Sequence, residues 1–384
     1  DLNISPLENN GINQVVKSKF EQAVAAFNNL LPAAEKLNTD YPLKVNHLNT
    51  MGDGNWNLGN KRMRKRSMLE TCIPWSEARG VKFISNLTAV RFTSDGNRKV
   101  NSVILRADNG GLSKVIVRKA VILAGGVLSS SHFLMRSGLA NPYAGKQVSC
   151  NFAFPATFEF EEELNAFDGD QITLGALDPL GRSAFETYFN PPASFALTSI
   201  PFFFDRRDHI MSRYKYLVNF GSLIGSEPNG ITRKRADLLN GQSFTWTLGE
   251  KDIANIKYGL GTLVKLGQLG GAKRAILPTK PGIDLDLNQD NDVKQFIDRF
   301  ATFPLRMTDL YMGTAHPQGG NLMAGRRSAF ANRRVVNENF QVEGYDNVFV
   351  ADASLFPTSI TVNPQWTIMA MSALAVKRII ALCS

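Results

Sequence analysis

The C-terminal part of the chain carries the pattern that most constrains its fold. The apolar, β-branched run VFV shortly precedes Asp352, which predicts a strand whose carboxyl end carries an acid. Asn363 and Pro364 follow after a loop, and they predict the cap and the first turn of a helix. Because open α/β sheets bind ligands at the carboxyl ends of their strands, the pattern favours a mixed α/β fold with a ligand site here.

His316, in the segment GTAHPQGG, supplies chemistry for such a site. A histidine with a pKa near ~6.5 can accept a proton from an alcohol at neutral pH. An asparagine such as Asn363 can hold a substrate oxygen without competing for that proton. The free N–H groups of the helix that follows, at its positive dipole end, suit an electron-rich ring or an anion. His316 and Asn363 are therefore the candidate catalytic residues.

Several segments together resemble one family of flavoenzymes. The stretch from His316 to Asn363 resembles the C-terminal signature of the glucose–methanol–choline (GMC) flavin oxidoreductases. Its HPQGG and VNP motifs are most similar to those of the cholesterol-oxidase-like branch. The tripeptide GNK at residues 59–61, followed by VKFISNLTAV, resembles the mid-chain segment of the family. AVILAGGVLSSSHFLMRSG resembles its second flavin-domain turn. The resemblance extends over residues 52–384.

The resemblance implies an FAD-dependent enzyme that oxidises an alcohol to a carbonyl compound. His316 would take the hydroxyl proton as hydride moves to flavin N5, and Asn363 would hold the oxygen. The partner would be a small-molecule alcohol. The run PFFF at residues 201–204, with Phe185 and Tyr188, favours an apolar cavity and hence a hydrophobic alcohol.

The resemblance also assigns contacts with the cofactor. Val90 would contact the adenine of FAD. Asp352 and Ala353 would lie at its phosphate–ribityl region, where the carboxylate orients ribityl hydroxyls or backbone N–H groups. Pro364 and Gln365 would bring the first helical turn to the isoalloxazine ring, where an N–H of Gln365 stabilises developing negative charge.

One element of the family is missing from this sequence. The family opens with a strand, a GxGxxG turn and a helix whose N-terminus holds the flavin pyrophosphate. The 384 residues contain no GxGxxG. The chain is therefore interpreted as the C-terminal two-thirds of a longer flavoprotein, or as one chain of a split one. A missing N-terminal segment or a second chain would then complete the FAD site.

The expected fold class is α/β (α+β). It comprises a GMC-type FAD-binding domain that lacks its first dinucleotide βαβ segment, and a substrate domain with an antiparallel sheet backed by helices. Residues 1–57 would enter the substrate domain, and residues 58–150 would form part of the FAD-binding domain. Residues 151–305 would form the substrate-binding domain, and residues 306–384 would return to the FAD-binding domain with the active site.

Hydrophobic periodicity predicts the main helices and strands. An amphipathic helix is expected over Val15–Leu37, with one apolar face formed by Phe20, Val24, Phe27, Leu30 and Leu31. Residues 251–277 and 291–303 read as helical. Four β-branched runs within residues 81–126 predict strands, and the hairpin signals SDGN and DNGG separate them. The last run leads into a helix that Gly138 ends.

Composition argues against several classes of protein. A chain of 384 residues with 43% apolar content is expected to form about two domains with sizeable cores. No uninterrupted apolar run reaches the roughly 18 residues that a membrane span needs, so no transmembrane segment is expected. Three scattered cysteines and four widely separated histidines argue against a disulfide framework and against a metal site.

The net charge is +9, and the only dense basic cluster is KRMRKR at residues 61–66. Such a cluster is either a solvated helix face or a surface that steers an anionic electron acceptor. It lacks interleaved aromatic residues and a recognisable nucleic-acid-binding motif, so no nucleic-acid partner is expected.

Two other functions fit the same sequence. The scaffold also occurs in flavin-containing lyases without net oxidation, which would turn over a nitrile or an aldehyde without an electron acceptor. A chain that lacks the dinucleotide turn would alternatively serve as a non-catalytic binding or structural partner. A flavin spectrum of the purified protein would separate this last function from the other two.

Overall fold

A computed structural model describes residues 5–6, 12–40, 44–45, 67–94, 96–139, 141–168, 172–237 and 242–383. The GNK tripeptide and the KRMRKR cluster lie outside these described residues. The sixteen strands of the described residues are β1 (Ser5–Pro6), β2 (Lys44–Val45), β3 (Leu87–Ser94), β4 (Val100–Ala107), β5 (Leu112–Ile116), β6 (Val121–Leu123), β7 (Lys146–Glu159), β8 (Ile172–Leu177), β9 (Ala184–Tyr188), β10 (Leu217–Gly225), β11 (Gly230–Asp237), β12 (Gln242–Thr245), β13 (Arg274–Leu277), β14 (Ile283–Asp286), β15 (Gly313–Gly320) and β16 (Val348–Val350). The α-helices are α1 (Gln14–Asn29), α2 (Cys72–Glu77), α3 (Gly126–Arg136), α4 (Pro192–Thr198), α5 (Arg207–Ser212), α6 (Glu250–Leu269), α7 (Asp290–Thr302) and α8 (Gln365–Cys383).

The chain divides into two compact units, and each unit is formed by three separate segments of the sequence. The first unit comprises Asp1–Lys82, Phe152–Ile224 and Ile253–Gly313. The second unit comprises Phe83–Asn151, Gly225–Asp252 and Thr314–Ser384. This architecture confirms the mixed α/β class, while the assignment of substrate and FAD-binding roles to parts of the chain stays a prediction.

The first unit is built on a sheet that has α1 and α6 on one face and α4 and α5 on the other. Strand β9 pairs antiparallel with β8 and β10, and β13 pairs antiparallel with β14 and with the second half of β7. Phe220 points to the face covered by α1 and α6, where its ring lies 5.3 Å from that of Phe20 in α1. On the same side the ring of Phe185 lies 6.3 Å from that of Tyr258 in α6. Phe185 is therefore a core residue, and its predicted place in a substrate cavity was wrong.

Helix α1 begins as expected and ends earlier. Asn13 caps it, because its side-chain oxygen accepts hydrogen bonds from two backbone N–H groups of the first turn. The predicted apolar face is confirmed for the buried residues Phe20, Val24 and Phe27. The prediction was wrong for the end of the helix, since Leu30 is exposed and the helix does not reach Leu37. Pro32 explains this, because proline disfavours helical conformation in the preceding residue.

The predicted helix over residues 251–277 is confirmed only in its first part. Helix α6 stops at Leu269, and Gly271 follows with a φ of 84°, a left-handed conformation that ends helices. The remaining residues form β13, which pairs with β7 and β14, so tertiary pairing decides their structure. The helix predicted over residues 291–303 is confirmed by α7.

The second unit contains the predicted meander and a separate parallel pair. Strands β3, β4 and β5 form a three-stranded antiparallel sheet, as the two hairpin signals indicated. Strand β6 pairs in parallel with β16. Helix α3 ends before Gly138, whose φ of 87° confirms its expected role as a helix stop. A core cluster that includes Phe92, Leu134, Val336 and Phe349 joins these elements.

Helix α8 is apolar but largely exposed. It has 19 residues with a mean hydropathy of 1.6, so its length and composition alone would let it cross a membrane. One such helix is weak ground for a membrane protein, because many core helices have the same composition. Within α8 only Ala375 and Ile379 are buried. Leu374, Val376 and Ile380 are about half exposed or more.

The packing of α6 against the sheet makes a testable prediction about two of its glycines. A Cβ atom at Gly267 would lie 2.1 Å from the ring of Phe158, which is fully buried. We expect Gly267→Ala to lower the free energy of unfolding by about 1–3 kcal/mol, since the buried ring has little room to move. The control is Gly261→Ala in the same helix, where the nearest atom, on Ile297, is 3.8 Å away. It should stabilise the helix by up to about 1 kcal/mol. Equal effects in urea denaturation would contradict this packing.

Candidate active site

Two parallel strands of the second unit bring their carboxyl ends together. Strand β6 pairs with β16 in the register Val121 to Val348 and Leu123 to Val350. Both strands are β-branched and apolar, as buried parallel strands usually are. The turn after β6 and the turn after β16 therefore meet at one edge, where α/β sheets bind ligands.

Asp352 ties these two turns together. Its carboxylate accepts hydrogen bonds from the backbone N–H of Gly126 (2.9 Å), the hydroxyl of Ser130 (2.5 Å) and the backbone N–H of Ser354 (2.9 Å). The side chain is buried, and three donors satisfy it. Of the two roles expected for Asp352, the structure shows the orientation of backbone N–H groups.

His316 lies in β15, and two glycines follow it. Gly319 and Gly320 have φ values of 82° and 102°, which only glycine adopts freely. A Cβ atom at Gly319 would lie 2.1 Å from the carbonyl oxygen of Gln147, and one at Gly320 would lie 2.6 Å from the hydroxyl of Ser131. The structure shows that these glycines let β15 approach neighbouring protein atoms.

The side chains of His316 and Asn363 are neighbours. Asn363 Nδ2 lies 3.4 Å from His316 Nε2. An amide N–H can only donate, so this contact is a hydrogen bond in the neutral tautomer that carries its proton on Nδ1. Burial lowers the pKa of His316 below 6.5, because desolvation disfavours the charged ring. At neutral pH the ring is therefore neutral and able to accept a proton.

Two buried amides hold the loop that carries Asn363. The carbonyl oxygens of Ile360 and Val362 accept hydrogen bonds from Asn151 Nδ2, at 3.0 and 3.2 Å. Gln318 Oε1 accepts from the backbone N–H of Ile360 at 3.2 Å. Asn151 and Gln318 are almost fully buried, so the loop is fixed relative to β15 and β7. They place Asn363 beside His316.

The start of α8 offers free backbone donors. The first hydrogen bond of this helix runs from the N–H of Ile368 to the carbonyl of Pro364. The backbone N–H groups of Gln365, Trp366 and Thr367 have no hydrogen-bond partner among the described residues, as expected for a helix N-terminus. These groups suit an anionic or electron-rich ligand. Pro364 is buried, whereas Gln365 is exposed.

The remaining predicted contacts lie in the same unit. The backbone N–H of Ala353 has no hydrogen-bond partner among the described residues, which leaves it available to a cofactor. Val90 lies within β3. There it occupies a bulge, because Ala89 pairs with Leu105 and Arg91 pairs with Ile104. The contact of Val90 with adenine stays a prediction.

Gln318 and Asn151 were not identified from the sequence. Gln318 gave a weak signal, as the only amide within the GTAHPQGG segment. Asn151 gave none, because its partner Ile360 is 209 residues away. No group of three or more histidine, cysteine or acidic side chains that could hold a metal occurs among the described residues.

Comparison with protein families shows to which family the chain belongs. The N-terminal region of the GMC oxidoreductase family matches residues 12–154, and its C-terminal region matches residues 236–372. The chain belongs to the GMC oxidoreductase family. The cholesterol-oxidase-like branch stays a prediction.

Individual relatives are distant. The uncharacterized GMC-type oxidoreductase y4nJ of Sinorhizobium fredii is 26% identical over 317 residues, which is 80% of this chain and 59% of that protein. Long-chain-alcohol oxidase FAO3 of Arabidopsis thaliana is 24% identical over 340 residues, which is 81% of this chain and 44% of that protein. The chain thus matches only about half the length of these curated relatives.

Solved structures share the fold. Pyridoxine 4-oxidase from Mesorbium loti has a TM-score of 0.66 at 15% sequence identity, covering 98% of this chain and 71% of that one. A formate oxidase has a TM-score of 0.67 at 13% identity, covering 98% and 72%. At these identities the likeness concerns the fold alone.

The hydrogen bond between Gln318 and the loop that carries Asn363 makes a testable prediction. Gln318→Leu should lower the free energy of unfolding by about 1–3 kcal/mol, because it leaves the N–H of Ile360 without its acceptor, the buried amide of Gln318. The control is Gln289→Leu at the exposed start of α7, where the glutamine makes no capping hydrogen bond. This change should stay within about 0.5 kcal/mol. Similar stabilities of both variants in urea denaturation would show that the amide does not hold the loop.

Proposed function

We propose that this protein is an FAD-dependent alcohol oxidoreductase with His316 as its base. The contact of His316 with Asn363, beside the free N–H groups of α8, carries the proposal. FAD, when bound, supplies the acceptor for the hydride of the alcohol. The protein contributes the position of the substrate and the removal of a proton.

His316 would take the hydroxyl proton on Nε2. The ring is half-buried and neutral, and its Nε2 lone pair, which faces Asn363 Nδ2 in the structure, would accept the proton once the substrate hydroxyl takes the place of that contact. The Nδ2 group of Asn363 would donate a hydrogen bond to the substrate oxygen as the carbonyl forms. Asparagine has no titratable group in this range, so the two side chains do not compete for the proton. This division of roles supports base catalysis by His316.

The cofactor contacts are proposed on the same geometry. Gln365 and Pro364 would place the first turn of α8 at the isoalloxazine ring, where unpaired N–H groups stabilise negative charge. The free N–H of Ala353 and the turns organised by Asp352 would hold the phosphate–ribityl region. Val90 would contact the adenine. These groups would contact FAD at the carboxyl ends of β6 and β16, within the second unit.

The substrate is proposed to be a hydrophobic alcohol. A relative that acts on long-chain alcohols supports this choice. We assign residues 151–305 to substrate binding and residues 1–57 to the entry into that domain. Residues 58–150 and 306–384 would bind FAD.

We further propose that a strand–turn–helix segment completes the FAD site, as a preceding part of the polypeptide or as a second chain. The outer edge of β6 has no strand partner among the described residues, and Ile122 on β6 is 51% exposed. Parallel sheets are normally covered on both faces. Leu374, Val376 and Ile380 on α8 also lie exposed. An added parallel strand and its helix would bury such surfaces.

The affinity for FAD tests this completion. We expect this chain alone to bind FAD weakly, because no GxGxxG turn is present to hold the pyrophosphate. Quenching of flavin fluorescence measures the affinity. Tight, stoichiometric binding by the chain alone would contradict the need for a further segment.

The proposed base is tested by His316→Gln. Reduction of the flavin by an aliphatic alcohol, followed by stopped flow, should slow by roughly 10²–10⁴-fold, the usual contribution of general base catalysis. The fold should persist, since glutamine is neutral and of similar size. His209→Gln serves as the control, because His209 is exposed on α5. Reduction at the wild-type rate in His316→Gln would show that His316 is structural.

The pH dependence gives an independent test. A histidine base must be neutral, so the rate of reduction should fall as pH drops through the pKa of His316. Because burial lowers this pKa, the midpoint of the fall should lie below pH 6.5. His316→Gln should abolish this acid limb. A limb that persists in the variant would assign the titration to another group.

A further inference from the structure

The hydroxyl of one threonine connects two strands of the second unit next to His316. Thr314 lies in β15, two residues before His316. Its hydroxyl accepts a hydrogen bond from the backbone N–H of His316 at 3.0 Å, and it donates one to the backbone carbonyl of Asn151 at 2.8 Å. A hydroxyl can do both at once, because it has one proton and two lone pairs. Thr314 therefore ties the backbone that carries His316 to the end of β7 that carries Asn151.

Apolar packing contributes little to this part of β15. Gly313, Thr314 and Ala315 are exposed. A Cβ atom at Gly313 would have no other atom within 4 Å. Strand β15 pairs with β7, and the hydroxyl of Thr314 adds a side-chain hydrogen bond to that pairing. Polar contacts, rather than buried apolar side chains, thus hold the strand where it reaches His316.

Asn151 connects the same point to the loop that carries Asn363. Its side-chain Nδ2 donates to two carbonyls of this loop, while its backbone carbonyl accepts from Thr314. Asn151 is only 1% exposed, so it is a fixed reference for both. One buried residue therefore holds the backbone of both candidate catalytic side chains. Their 3.4 Å contact depends on Asn151 from two directions.

The position of His316 matters because proton transfer requires close and well-aligned partners. Catalytic groups have to be held to within about 0.5 Å of the productive geometry. A hydrogen bond to the backbone N–H of His316 restricts the backbone from which its ring projects. Without the hydroxyl of Thr314, this backbone would lose its acceptor and the half-buried ring could turn toward solvent.

We propose that Thr314 is a positioning residue for the reaction at His316, because its hydroxyl fixes the imidazole relative to Asn363 by way of Asn151. The inference rests on the proposed function only in treating His316 as the base. Both hydrogen bonds of the hydroxyl are made to backbone groups. Thr314 therefore acts through His316 and not on the substrate.

Nitrogen NMR of the histidine-labelled protein tests the positioning without any turnover. Thr314→Val removes the hydroxyl and keeps the shape of the side chain. Burial alone lowers the pKa of His316, so a ring released toward solvent should titrate closer to 6.5. We expect this rise in Thr314→Val and a wild-type titration in Thr314→Ser, which retains the hydroxyl.

The matched control is Thr302→Val in α7 of the first unit. Thr302 is also exposed, and its hydroxyl also donates to a backbone carbonyl, that of Arg299 at 3.1 Å. Thr302→Val and Thr314→Val should therefore lower stability by similar amounts in urea denaturation. Only Thr314→Val should change the titration of His316. This comparison separates positioning from a general loss of stability.

The rate of flavin reduction gives the second measurement. At saturating FAD, Thr314→Val should slow reduction by an aliphatic alcohol roughly 3- to 10-fold, the rate equivalent of one hydrogen bond. The KM should not change, since Thr314 acts through His316, and Thr314→Ser should restore the rate. If Thr314→Val does not fold, Thr314→Ala replaces it in every comparison.

Three results would overturn the inference. One is a titration of His316 in Thr314→Val that matches the wild-type protein. Another is Thr314→Ser that behaves like Thr314→Val. The third is an unchanged reduction rate in Thr314→Val when His316→Gln is slow. If His316→Gln itself reduces at the wild-type rate, the base is refuted, and the NMR comparison still decides whether Thr314 fixes the ring.

Discussion

The carboxylate of Asp352 is the interaction on which the candidate site depends. It joins the turn after β6 to the turn after β16 through Gly126, Ser130 and Ser354. A parallel pair of three-residue strands has few ladder hydrogen bonds of its own. A buried, fully satisfied carboxylate therefore fixes the edge at which both strands end. The loop to Asn363 starts from this fixed point.

The chemistry follows from a second constraint, the amides of Asn151 and Gln318. They hold the loop by its backbone, so the side chain of Asn363 remains free to meet His316. Burial then keeps the imidazole neutral.

Local patterns made much of this structure predictable. The meander, α3 with its stop at Gly138, and the start of α1 follow from hairpin signals, glycine conformation and capping. The sequence misassigned residues 274–277 to a helix, since their pairing with β7 depends on residues far away in the chain. Asn151 could not be recognised for the same reason, because its role depends on the distant loop that lies opposite it.

The most direct test of the account concerns the proton on His316. Nitrogen NMR of histidine-labelled protein distinguishes the two neutral tautomers and the charged ring, and the chain has only four histidines. The signal lost in His316→Gln identifies the residue. The account predicts a neutral ring at neutral pH, with its proton on Nδ1, an unprotonated Nε2 and a pKa below 6.5. A proton on Nε2, or a charged ring at neutral pH, would contradict the assignment of His316 as the base.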